Sequence, residues 1–230
     1  MLQQLLNIAK RENYTVYYEP HKLNIWGIRA DTNVPNKFDD IVFVFWKTEN
    51  GNWDSRKYYA TTDTGTYYLN NPIESLGAAL LKQGQYLDAY KRGLAYRNGG
   101  LLPFPYELQQ VKAVTIYRDY NRDAVLDFLN GRETTGIYGI NIHVGANKGG
   151  KSLSVDNWSA GCQVLGDYNE YAEFDTLQLK HIALYGNIFS YTLIDDRARK
   201  RAKKRLILNT TLGIAAAAAV TYGLWKWLKD

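Results

Sequence analysis

The chain reads as a mainly β fold with a few helices, an α+β class, and three observations predict it. Ile41-Val42-Phe43-Val44-Phe45-Trp46, Lys57-Tyr58-Tyr59-Ala60-Thr61, Val111 to Tyr117 and Ile137 to His143 are rich in β-branched and aromatic residues, with glycine and asparagine between them. Helical periodicity is confined to three short stretches. The 19 tyrosines and 6 tryptophans suit cross-strand pairs in a sheet better than a ligand groove.

Taken in order, residues 1–22 carry a Leu2, Leu5, Leu6, Ala9 stripe, which predicts an N-terminal helix and lead-in. Residues 23–196 form one predicted domain: no repeat or low-complexity linker interrupts them, and 46% hydrophobic content is enough to bury a core. Its further helices are expected over Asp123 to Leu129 and Tyr168 to Leu179. Tyr117-Arg118-Asp119-Tyr120-Asn121 reads as a strand end and turn. Gly145-Ala146-Asn147-Lys148-Gly149-Gly150-Lys151-Ser152 has the look of a phosphate loop but lacks the four-residue spacer before Gly-Lys-Ser, so it reads as a connector.

Charge divides the chain sharply. Arg197, Arg199, Lys200, Arg201, Lys203, Lys204 and Arg205 place seven positive charges in the linker 197–205, whereas residues 1–196 hold 19 basic and 22 acidic residues, a net of −3. The domain therefore has no specific nucleic acid as an expected partner. Beyond the linker, 206–228 is a candidate transmembrane helix and a single C-terminal helical anchor. Leu206 to Trp225 carries no charge, and twenty helical residues span about 30 Å, a bilayer core. Tyr222, Trp225 and Trp227 suit the interface, and Gly213 with Ala217 and Ala219 with Gly223 are small-residue pairs that would let such helices self-associate.

The chemistry concentrates in one pair. Cys162 is the only cysteine and follows His143 by nineteen positions. A thiol is a strong nucleophile only as thiolate, and a neighbouring imidazole is the common device that makes one near neutral pH. Asn141-Ile142-His143 alternates like a strand, whereas Ser159-Ala160-Gly161 is a run of small residues that lets backbone amides approach a substrate oxygen. Papain-like enzymes place Cys before His and caspase-like ones separate the two further, so both are disfavoured. His21, His143 and His181 lack metal-ligand spacing, and neither a metal nor a cofactor is expected.

His143, a loop from Val144 to Trp158, then Ser159-Ala160-Gly161-Cys162 resembles the motif of the L,D-transpeptidase catalytic-domain family, which runs His, variable loop, Ser-His-Gly-Cys. Thr61-Thr62-Asp63-Thr64-Gly65-Thr66-Tyr67 is similar to that family's upstream turn and strand. Tyr171 to Phe174 and Asn187 to Ile194 are similar to its short helix and closing strand. Asn24 to Arg29 and Asn36 to Asp40 resemble phage and gut-bacterial relatives. The family has His where Ala160 stands, and Arg or Asn where Val164 stands.

The resemblance implies an L,D-transpeptidase-like β-sandwich acting on peptidoglycan stem peptides. Cys162 would attack the amide carbonyl, and His143, oriented by the Val144 carbonyl, would take the thiol proton. Backbone N–H groups of Gly161 and Cys162 are the expected oxyanion donors, worth roughly 3 to 4 kcal/mol each. Ser159, Trp158, Gln163 and Arg118 are the expected substrate-binding residues, with Gln163, Asn157 and Arg118 the alternatives for the absent family Arg. Met1 to Lys10 lacks a signal peptide, and the positive-inside rule places the domain on the cytoplasmic face. A phage enzyme carried in the virion or held at the host inner membrane until lysis reconciles these. The competing reading is a non-catalytic virion or membrane-attached binding protein that keeps the fold.

Overall fold

The structure, a computed structural model, describes residues 1–195 apart from 33, 98 and 129–131. The basic linker, the candidate transmembrane helix and its self-association lie outside the described residues. Among the described residues no helix is long and apolar enough to cross a membrane.

Among the described residues the fold is mainly β with three helices. Chain order runs α1 (Leu2–Glu12), β1 (Asn24–Arg29), β2 (Asp40–Lys47), β3 (Trp53–Thr61), α2 (Thr66–Asn70), β4 (Ala78–Leu81), β5 (Gly84–Arg97) and β6 (Gly100–Gln110). It continues with β7 (Val114–Asp119), β8 (Arg132–Gly136), β9 (Ile142–Val144), β10 (Gln163–Leu165), α3 (Tyr168–Tyr185) and β11 (Phe189–Asp195). Eight strands close a barrel in the order β1-β11-β5-β6-β9-β10-β3-β2, and β4-β7-β8 form a second sheet. The two sheets together make the sandwich-like arrangement.

The apolar runs at β1 and β2 are buried on both faces because each face meets a different layer. Ile25, Val42 and Val44 join the main core with Tyr191, Leu193 and Leu165. The alternate residues Trp26, Ile28, Phe43 and Phe45 pack under Leu5, Ile8 and Ala9 of α1. Asn13 ends α1 in the left-handed conformation at φ 56°, a cost that asparagine tolerates, and the Tyr14 N–H closes the helix on the Ala9 carbonyl at 2.8 Å. Asp167 caps α3 by accepting the N–H groups of Asn169 and Glu170.

Three expectations are corrected. Thr66 to Asn70 is the short helix α2, not a strand following a turn. Residues 123–128 form a loop rather than a helix, because Asp123 accepts the Val125 N–H and Asp119 accepts the Asp127 N–H, local bonds that compete with helical ones. Ladder pairing begins only at Ile142, so most of the predicted strand from Ile137 lies outside any strand, with Gly139 at φ 70°.

A buried polar cluster joins the two sheets. Arg29, at the end of β1, donates to the Thr62 carbonyl at 2.8 Å and across to the Leu81 carbonyl of β4 at 3.0 Å, and pairs with Asp63 at 2.7 Å. Asp40 accepts the N–H groups of Ala30 and Thr62, both at 2.6 Å. Burial, then the neighbouring Asp63 carboxylate, push the Asp40 pKa up to about 7, against the opposing pull of Arg29 and these N–H donors.

A carboxyl whose pKa is raised on folding contributes stability that is complete below the unfolded value near 4 and is lost as pH rises through the folded one. The urea midpoint of the protein is therefore expected to fall between about pH 5 and pH 8. Asp40→Asn flattens that slope whatever its absolute stability, and an identical slope in both proteins would exclude Asp40 as its source.

Candidate active site

β9 and β10 run parallel, with Val164 opposite His143 and Leu165 opposite Val144. Because side chains alternate, Ile142, Val144 and Leu165 point into the main core while His143 and Val164 point to the other face. Cys162 precedes β10 by one residue and shares the His143 face. The Gln163 N–H, bonded to the Asn141 carbonyl at 2.9 Å, continues the ladder to that point. A two-residue offset at about 3.3 Å per residue across strands about 4.8 Å apart puts the two Cα atoms about 8 Å apart by ideal ladder geometry.

Both side chains line one cleft of about 570 Å³. Its walls come from both sheets: Ala79 of β4 and Arg118 of β7 face His143 and Cys162. Ile73 and Glu74, between α2 and β4, lie on one side and Tyr138 to Ile140 on another, with Asn157 and Trp158 from the loop between His143 and Cys162. His143 and Cys162 are 2% and 8% exposed, which places them on the cleft floor. Gln110 secures the 136–140 segment by accepting the N–H groups of Tyr138 and Ile140 and donating to the Gly136 carbonyl.

The histidine tautomer follows from its backbone partner. Nδ1 lies 2.8 Å from the Val144 carbonyl, which can only accept, so Nδ1 carries the proton and Nε2 is the basic nitrogen. No Asp or Glu is needed for this. The Cys162 thiol donates to the Gly139 carbonyl at 3.4 Å.

The turn before Cys162 is held from inside the protein. Ser159 is fully buried; its Oγ accepts the Gly161 N–H at 3.2 Å and donates to the Cys162 carbonyl at 2.9 Å. Gly161 sits at φ 126°, where a Cβ would come within 2.6 Å of the Ala79 carbonyl, so only glycine fits. Gln163 is fully buried, donating from Nε2 to the Gly161 carbonyl at 3.2 Å and accepting the Tyr191 hydroxyl on Oε1 at 2.8 Å.

Three sequence-level assignments change accordingly. Ser159 and Gln163, expected at the substrate, do not line the cleft; they brace the turn. The Gly161 N–H, expected as an oxyanion donor, is engaged by Ser159 instead. Trp158, Arg118 and Asn157 do line the cleft. Val164, where the family carries Arg or Asn, is fully buried, and a Cβ on Gly145 would meet its Cγ1 at 2.5 Å, which leaves no room for a charged chain. Gln110 was not read from the sequence; its only signal, a polar residue ending a strand, is common.

Among the described residues no group of three or more His, Cys, Asp or Glu side chains is placed to hold a metal ion. Comparison with protein-family models, curated proteins and solved structures returned no match.

Ser159→Ala strands two buried backbone groups, each worth about 1–3 kcal/mol when left unpaired. The variant is expected to lower unfolding free energy in urea by that order, and a change under about 0.5 kcal/mol would mean that the turn holds without the hydroxyl.

Proposed function

We propose that the protein is a cysteine-dependent acyl-transfer enzyme acting on peptidoglycan stem peptides, in the manner of the L,D-transpeptidases its motif resembles. The observation that carries this reading is that Cys162, one residue before β10, and His143, on the parallel neighbour β9, line the same cleft, with His143 Nδ1 tied to the Val144 carbonyl. Substrate would enter between the two sheets and bring its scissile carbonyl to the sulfur. His143 Nε2 takes the thiol proton, sulfur bonds to the carbonyl carbon, and the proton passes to the departing amine as the C–N bond breaks. Water on the resulting thioester gives a carboxypeptidase or endopeptidase; an amine gives a transpeptidase.

Arg118 is the cleft's cationic group for a substrate carboxylate. It is 9% exposed, donates from Nη1 to the Gly77 carbonyl at 3.1 Å, and lies 5.1 Å from the Tyr138 ring centre. In this reading it takes the place of the charged residue that Val164 lacks. A membrane-associated location, at the host inner membrane or in a virion, belongs to the same proposal and rests on the linker and apolar segment.

Purified sacculi incubated with the full chain are expected to release peptide fragments, followed by mass spectrometry with and without an added amine acceptor. Cys162→Ala and His143→Ala should each cut the rate by about 10³-fold or more, since members of a catalytic unit fail together. Undiminished release by both variants would eliminate the mechanism and favour the binding-protein reading. For the anchor, the full chain should sediment with membranes and a chain ending at Asp196 should not; equal solubility of the two counts against insertion.

A further inference from the structure

Side chains behind the turn that presents Cys162 hold the backbone of Gly161 and Cys162 in place. Ser159 Oγ binds the Gly161 N–H and the Cys162 carbonyl, and Gln163 Nε2 binds the Gly161 carbonyl. In a trans peptide the carbonyl of one residue and the N–H of the next point in opposite directions. The described residues contain no cis peptide bonds. Gln163 holds the Gly161 carbonyl from the barrel side, where Gln163 pairs with core residue Ile142 and meets Tyr191. The Cys162 N–H of that same peptide unit therefore points the other way, to the face where Cys162 and His143 line the cleft.

What fixes the Gln163 amide is Tyr191. Its hydroxyl donates to Oε1 at 2.8 Å, so the amide presents Nε2, not oxygen, to the Gly161 carbonyl. The ring is fixed edge-on against Tyr90, with centroids 5.9 Å apart at 72°. The hydroxyl occupies space that exists only because residue 27 is glycine, where a Cβ would collide with it. Burial pushes the Tyr191 phenol well above its ordinary range, so it stays a donor at any working pH.

Resting on the acyl-transfer reading above, we propose that Gln163 and Tyr191 are positioning residues that aim the Cys162 N–H at the oxyanion formed when sulfur adds to a carbonyl. In that step the C–S bond forms, the carbonyl π pair moves onto oxygen, and the thiol proton goes to His143. When the C–N bond to a leaving amine breaks, the oxygen pair returns and the amine departs with that proton; when the C–O bond to a phenolate breaks, the oxygen pair returns, the phenolate departs as the anion and the proton stays on His143 until solvent takes it.

Two electrophiles at the one thiol separate aim from fold. Acylation by 4-nitrophenyl acetate passes through an oxyanion and expels nitrophenolate, whereas alkylation by iodoacetamide displaces iodide at saturated carbon and forms none. Cys162 is the only cysteine, so the mass shift of the intact full chain follows both reactions. Tyr191→Phe should slow acylation about tenfold and Gln163→Met about a hundredfold, within the range set by losing one oxyanion donor. Alkylation and its pH profile should stay within about twofold, as the thiol and imidazole are untouched.

An acylation-to-alkylation ratio unchanged in both variants overturns the proposal. So do parallel losses in both reactions, which would mark a merely structural role, and a wild-type ratio equal to that of N-acetylcysteine. Intact sacculi combined with a ratio lowered in the variants counts against wall peptides as substrate and for the positioning role.

Discussion

The parallel pairing of β9 with β10 is the constraint on which the site depends. Parallel neighbours cannot be joined by a hairpin; the chain must cross from the end of one strand back to the start of the next, which takes a dozen residues or more. Here the crossover is the loop between Val144 and Cys162, and its length is the reason His143 and Cys162 stand nineteen positions apart. No helix supports this loop, so backbone bonds hold it. Gly145 N–H donates to the Leu165 carbonyl at 2.7 Å, Ser152 to Gly166 at 2.8 Å, and Val155 to Asn36 at 3.2 Å. The Lys151–Asp167 pair at 2.6 Å adds little, because Lys151 is largely exposed and screened by solvent.

One short segment transmits the fold to the cysteine turn. Thr62 belongs to the buried cluster of Arg29, Asp40 and Asp63. Two residues on, Thr64 donates to the Ala79 carbonyl at 2.6 Å, and Gly65 donates to the Ser159 carbonyl at 2.9 Å. Ala79 is the residue whose carbonyl packs on Gly161, and Ser159 is the residue that binds the turn. The chain from Thr62 to Gly65 thus connects the joint between the sheets to the backbone carrying the sulfur. A close-packed interior transmits such a displacement, because there is no void to absorb it.

What the sequence revealed, and what it hid, divides by the range of the interaction. Ile41 to Trp46 and Lys57 to Thr61 were legible as β2 and β3, and the stripe from Leu2 to Ala9 as α1, because period and composition act locally. Cys162 and His143 were singled out by residue type alone, and the structure sets both in the lining of one cleft. The helix α2 was not legible: the resemblance of Thr61 to Tyr67 to a turn and following strand suggested extended chain, and the residues from Thr66 form a helical turn instead. The roles of Ser159 and Gln163 were hidden for a different reason. Polar residues beside a cysteine look the same whether they face substrate or core; the pairing of Gln163 with Ile142 decides for one, and the bonds of Ser159 to the Gly161 N–H and the Cys162 carbonyl decide for the other. Tyr191 and Gly27 lie in segments read only as resembling strands of the family, and nothing in either segment signalled a link to the cysteine turn.

The position of the cleft cation follows from the same packing. Val164 shares a face with His143, yet its side chain lies against Gly145 in a closed space, where an unpaired guanidinium would cost several kcal/mol to desolvate. Arg118 reaches the cleft from β7, a strand of the other sheet, with its stem buried and one nitrogen on the Gly77 carbonyl. Cys162 adjoins β10 of the barrel and Arg118 lies on β7, so the two come from different sheets. Their separation is set by how β4 docks on the barrel, and the buried link from Arg29 to the Leu81 carbonyl is part of that docking. In the proposed enzyme, carboxylate anchoring and carbonyl attack would be registered to each other by an ion cluster that touches neither.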